Sequence, residues 1–170
     1  MGGVGSQGSG PVAYFVMGIC GSGKSTIAIE IAKAKHIEML DADDFHPQSN
    51  VDKMSAGIPL TDEDRAGWLE VLNAELRSRL EKGDSVVLAC SALKQRYRDA
   101  LEAGLPGASW LYLKGDRDTI LERVGQRKDH FMPTSLVDSQ LEALEEPEDA
   151  VVVDIRLPIE EIVAKALAEL

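Results

Sequence analysis

The chain has 170 residues, 44% of them hydrophobic and 28% charged, with a formal net charge of −11, which suits one domain with its own core. That acidic balance argues against a nucleic-acid binder, which needs a basic face, and no apolar run approaches the roughly 18 residues of a membrane span. Two cysteines, Cys20 and Cys90, lack disulfide-type spacing; they fit a reducing compartment and read as small buried apolar side chains.

Residues 1–11 open with a Gly- and Ser-rich stretch that lacks the basic start and apolar middle of a signal peptide. They read as a disordered leader, with a single domain over 12–170. "VAYFVM" (12–17) is a first strand, and a Gly-rich turn follows it. "TIAIEIAKAK" (26–35) reads as a helix and "IEML" (37–40) as a second strand. "WLEVLNAELRSRLEKG" places Leu69, Leu72, Leu76 and Leu80 on one helical face and stops at Gly83. "SVVLAC" (85–90) is a third strand, and its unbroken apolar run is that of a parallel strand covered on both faces. A helix over "ALKQRYRDALEAG" is closed by Gly104, and "SWLYLK" (109–114) is a fourth strand. Asp116 caps "RDTILERVGQRK", Thr134 caps "SLVDSQLEALEE", "AVVVDI" (150–155) is a fifth strand, and Pro158 opens a last amphipathic helix. Strands alternating with helices predict an α/β fold: one five-stranded parallel sheet between two helical layers, with ligands at the carboxyl ends of the strands.

"GICGSGKS", Gly18 to Ser25, matches G-x-x-x-x-G-K-[ST] and lies between a strand and a helix, as a phosphate-binding loop must. The glycines let backbone N–H groups close on a phosphate, and the following helix turns its positive end toward the same anion. Lys24 is expected on the β- and γ-phosphates and the Ser25 hydroxyl on Mg²⁺, with Gly21, Ser22, Gly23 and Thr26 lining the nucleotide site. Such a loop indicates a nucleoside triphosphate but not the fate of its phosphate.

"LDADDFHPQSN" (40–50) crowds Asp41, Asp43 and Asp44 onto the rim where the phosphates should lie. On an extended chain Asp41 and Asp43 point the same way. Asp41 is then expected to hold the Mg²⁺ shell and Asp43 to take a proton from an attacking hydroxyl. A solvated turn with Asp as a helix cap is the other reading, and Asp44 fits a cap best. Farther along, Arg123 and Arg127 stand four apart on one helical face. They suit a migrating phosphoryl group and a stacked purine, or else a solvated basic helix end. From Lys94 to Lys128 there are eight basic and five acidic residues, against two basic and eleven acidic from Asp129 onward. That imbalance suits a small anionic ligand.

Read together, "GICGSGKST", "DADDFHPQSNVDKMSAGIPLTDEDRAGWL", "CSALKQRYRD", "LYLKGD", "RKDHFMPTSLVDSQLEALEEP" and "VVVDI" resemble the gluconate kinases, within the shikimate-kinase-like and adenylate-kinase-like branch of P-loop kinases. The resemblance runs over nearly the whole chain after Val12. It implies a three-layer P-loop kinase fold with a lid near 122–135, and ATP-dependent phosphorylation of D-gluconate on its terminal hydroxyl to 6-phosphogluconate. It also implies Mg²⁺, a cytoplasmic setting and a homodimer. Another small hydroxy acid such as shikimate, or a nucleotide switch, is the alternative. By the same resemblance Asp43 meets the substrate hydroxyl and Arg65 the substrate carboxylate, while Arg123 stacks on adenine and Arg127 holds phosphates. Lys24, Asp43 and Arg127 form the expected catalytic set. Asp129 stands where the family usually has Gly. Gluconate, a polyhydroxy monoanion, needs a cation and several polar groups; His46, Lys53, Ser91, Lys94 and Arg98 are the further candidates to supply them. Tyr97 reads as core.

Overall fold

The computed structural model describes residues 10–125 and 134–170. All but the last two residues of the expected leader lie outside that range. So does the middle of the expected lid, including Arg127 and Asp129.

Strands β1 (Ala13–Met17), β2 (Glu38–Asp41), β3 (Val86–Ala89), β4 (Ala108–Lys114) and β5 (Val151–Asp154) form one sheet in the order β2-β3-β1-β4-β5. Every pairing is parallel. The helices are α1 (Lys24–Lys35), α2 (Gln48–Ser55), α3 (Asp62–Glu81), α4 (Gln95–Glu102), α5 (Arg117–Gly125), α6 (Thr134–Ala143) and α7 (Ile159–Glu169).

The inner strands β1 and β3 are apolar on both sides because each side meets a helical layer. Ala13, Phe15 and Met17 of β1 and Val86 and Leu88 of β3 share one core with Leu69, Leu72, Leu76 and Leu80 of α3. Val16, Val87 and Ala89, the alternate residues, share the other with α1, α7 and Val137 of α6. Each of those α3 leucines is at most 5% exposed, and burying one such side chain contributes about 1.5–3 kcal/mol. β1 lies at the centre of the sheet, so the loop after it opens onto the middle of the carboxyl rim.

The expected strands all form. Several helices differ from the sequence reading: α4 starts at Gln95 instead of Ala92, and α6 includes Thr134, its expected cap, and ends at Ala143. α3 begins at Asp62, ahead of its leucine stripe, because Thr61 and Asp64 make a reciprocal capping box. α2 was not expected at all. Its Val51 and Met54 are exposed, so no apolar face advertises it. Asp116 does cap α5, its Oδ1 accepting from the Thr119 N–H at 2.8 Å.

Candidate active site

The phosphate loop turns through Gly21 and Gly23 at φ 80° and 92°, the left-handed region that glycine reaches at no cost. Gly18 serves close approach instead. A Cβ there would stand 2.7 Å from Ser22 Oγ and 3.0 Å from the Leu113 carbonyl. Gly23 caps α1 without a side-chain hydrogen bond, which leaves the first N–H groups of the helix facing the crevice. Lys24 Nζ folds back on the Ile19 carbonyl at 3.1 Å. Burial pulls its pKa down, while the acidic groups around it, Asp43 and Asp41 included, pull the other way. An arriving polyphosphate strengthens that second influence.

A cavity of about 360 Å³ opens here, lined by Lys24, Ser25, Thr26, Asp41, Asp43 and Ser91 among others. The Ser25 hydroxyl donates to Asp41 Oδ2 at 3.4 Å. Asp41 Oδ1 accepts from the Asp43 N–H at 3.0 Å, capping a short 3-10 turn over Ala42–Phe45. The chain is therefore no longer extended after Asp41, and this turn, not strand alternation, brings both carboxylates to one cavity. Asp41 is the cap, and exposed Asp44 does not line the cavity. Asp43 is 84% exposed. Even so, the protein walling the crevice displaces enough water to raise its pKa, with Asp41 adding to the shift and His46 and Lys24 opposing it.

A second cavity, of about 350 Å³, is lined by Arg65, Trp68, Lys94, Tyr97 and Leu136, and shares Cys90, Ser91 and Gln140 with the first. Arg65 Nη1 donates to the Tyr97 hydroxyl at 3.5 Å and lies 3.9 Å from Asp62. Lys94 Nζ sits 5.9 Å from the Tyr97 ring centroid. Tyr97 is thus a pocket wall as well as a partly buried neighbour of the core, which corrects its reading as core alone. Residues four apart after Leu93 do share a helix face, but Leu93 precedes α4.

Of the substrate candidates, Arg65, Ser91 and Lys94 line this second cavity and Asp43 the first; Arg98, Lys53 and His46 line neither. Arg98 is 3% exposed. Its guanidinium donates to the carbonyls of Ala92 and Glu145, each at 2.7 Å, and to Gln95 Oε1 at 3.0 Å. It fastens the loop after β3, where Ala92 stands at φ 47°; the substrate role expected for it is corrected. Lys53 is committed to Asp64 at 2.7 Å and lines neither cavity. The His46 ring is stacked on Trp68 and also lines neither; burial lowers its pKa, against the pull of Asp43. Arg123 donates to the Ile155 carbonyl, beyond the end of β5, and lines neither cavity. Cys90 is buried, and burial pushes its thiol up to about 12, in keeping with an inert apolar role.

Gln140, on α6, was not singled out from the sequence. Its Oε1 accepts from the Cys20 N–H in the phosphate loop at 2.7 Å, and its side chain borders both cavities. The only signal for it lay inside the "RKDHFMPTSLVDSQLEALEEP" block, where nothing local distinguishes it from a helix-surface glutamine.

Comparison with known proteins bears on the whole domain. The family described as an AAA domain matches residues 14–147. The chain is 44% identical over 158 residues to the thermoresistant gluconokinase of Escherichia coli K12, covering 91% of this chain and 90% of that one. It is 42% identical over 146 residues to a gluconokinase of Arabidopsis thaliana, covering 78% and 77%. Among solved structures, a gluconokinase from Sinorhizobium meliloti 1021 superposes with a TM-score of 0.80 at 44% identity, over 94% of this chain and 90% of that one. A shikimate kinase from Aquifex aeolicus superposes at 0.58 with 16% identity, over 92% and 94%, a likeness of fold alone.

Proposed function

The chain belongs to the gluconokinase family and phosphorylates gluconate with ATP, and from that premise we propose how its residues divide the work. The observation that carries the proposal is the junction of the two cavities at Ser91 and Gln140. A triphosphate in the glycine loop and a hydroxy acid beside Arg65 and Lys94 can meet there. The backbone N–H groups of Gly21 to Thr26 and the Lys24 ammonium hold the β- and γ-phosphates. Arg65 and Lys94 hold the carboxylate of the acid, with the Ser91 and Tyr97 hydroxyls toward its polyol. The terminal hydroxyl is left facing Asp43. Its proton passes to the carboxylate while its oxygen forms the new bond to the γ-phosphorus. The bond to the bridging oxygen breaks, and ADP leaves with the electron pair. Arg127 is proposed for the charge spread over the transferring group, and Arg123 for the adenine ring.

Mg²⁺ fits the residues present. Ser25 Oγ and Asp41 Oδ2 are hard oxygen donors side by side at the mouth of the nest. Among the described residues no group of three or more His, Cys, Asp or Glu could hold a metal unaided. That suits an ion that arrives on the nucleotide and neutralises phosphate charge. A cytoplasmic homodimer belongs to the same proposal.

The test is ADP release with ATP, Mg²⁺ and a panel of aldonic acids and shikimate. The expected result is turnover strongly stimulated by D-gluconate, with phosphate on its terminal oxygen. Slow hydrolysis indifferent to every acceptor would overturn the reading.

A further inference from the structure

His46 borders neither cavity, yet its ring is fixed in place and in protonation pattern. It lies stacked on Trp68, ring centroids 4.2 Å apart and 16° from parallel. The Trp68 indole N–H donates to the carbonyl of Ala42 at 2.8 Å, the first residue of the turn that carries Asp43. Behind the ring stands Asn50, 1% exposed. Its Nδ2 lies 3.0 Å from the Asp64 carbonyl and 3.3 Å from His46 Nδ1. A carbonyl can only accept, so the Asn50 atom that faces it is the amide nitrogen. That same nitrogen donates its second hydrogen to Nδ1. The neutral imidazole is left with its proton on Nε2, and Nε2 is the atom turned toward Asp43, 4.0 Å from Oδ1.

We propose that His46 is a positioning residue for Asp43. The Asp64 carbonyl, acting through Asn50, fixes the ring as the Nε2–H tautomer, and that N–H steers one Asp43 oxygen so that the other faces the acceptor alcohol. The proposal rests on Asp43 serving as the proton acceptor. A nitrogen that already carries hydrogen cannot take the alcohol's proton, so His46 is not the base. The exposed Asp43 side chain closes the remaining distance by rotation about its own bonds.

Nitrogen-15 NMR of the wild-type imidazole at neutral pH reads the tautomer directly, whatever the role of Asp43. The Nε2–H pattern is expected, and an Nδ1–H pattern or an imidazolium overturns the proposal. In kinetics, His46→Phe keeps a ring on Trp68 but removes the donor. It should lower kcat about tenfold, the size of one hydrogen bond to a charged group, with KM for ATP unchanged. His46→Gln, which presents an amide N–H at a similar reach, should recover most of that loss. Equal losses in the two variants, or wild-type kcat in His46→Phe, overturn the proposal. Adding His46→Phe to Asp43→Asn should cost nothing further. If Asp43→Asn alone turned over like the wild type, Asp43 would fall as proton acceptor and this proposal with it. A loss in Asp43→Asn with none in His46→Phe removes His46 alone.

Discussion

The phosphate nest and the pocket proposed for the acceptor share a rim but are made of different material. The nest is backbone: glycines in the left-handed region, a helix start without a side-chain cap, and one lysine from the same eight residues. The pocket is side chain, drawn from α3, the loop after β3, α4 and α6. A backbone site tolerates few sequences and announces itself as a motif. A side-chain site can be assembled from residues far apart, as the bond between Gln140 and the Cys20 N–H, 120 positions away, illustrates.

The contrast can be broken by variants that touch one half only. The largest effect is expected at Asp43, which lines the nest and is proposed to serve the acceptor. Asp43→Asn should lower kcat by about 10²–10⁴-fold and leave ATP affinity intact in a nucleotide-binding titration. Lost ATP affinity would assign Asp43 to the nest instead. Next comes Arg98→Met. It removes a buried guanidinium that satisfies two carbonyls, each costing about 1–3 kcal/mol when left unpaired. The expected result is a fall in Tm on the order of 10 °C, read by calorimetry. A wild-type Tm with a raised KM for gluconate would return Arg98 to the substrate. Arg65→Ala should do what Arg98→Met does not. KM for gluconate should rise about 10–100-fold, matching one charge-assisted hydrogen bond, with KM for ATP unchanged. A shift in the ATP value would dissolve the division between the two halves.

The smallest effect concerns the support beneath the pocket. The Lys53 hydrogen bond, and then the Thr61 N–H, hold the Asp64 carboxyl at about 2, below its ordinary value near 3.9. The folded state therefore gains stability from Asp64 above about pH 4, and loses it as pH falls toward 2. Lys53→Met removes the leading cause and should flatten that acid limb in Tm measured between pH 2 and 5. Parallel limbs for variant and wild type would mean that Lys53 has other work.

Reading from sequence succeeded where the physics is local. The Gly18–Ser25 loop, the five apolar strands and the α3 leucine stripe each follow from spacing within a few residues, and their places in the structure agree. α2 was missed because its apolar side chains stay exposed and leave no periodic stripe. Arg98, His46 and Lys53 were assigned to substrate on chemical type and nearness in the chain. Each instead meets an internal partner: carbonyls for Arg98, the Trp68 ring and Asn50 for His46, and Asp64 for Lys53.

By itself the amino-acid sequence determined the layers of the fold, the triphosphate nest and the rim on which chemistry must occur. Each of these depends on backbone conformation or on an apolar repeat, and both are written locally. Only the tertiary structure decided which polar side chains line the second cavity and which hold up its walls. A guanidinium or an imidazole offers the same hydrogen-bonding groups in either setting, and the choice depends on which acceptors the fold leaves buried beside it.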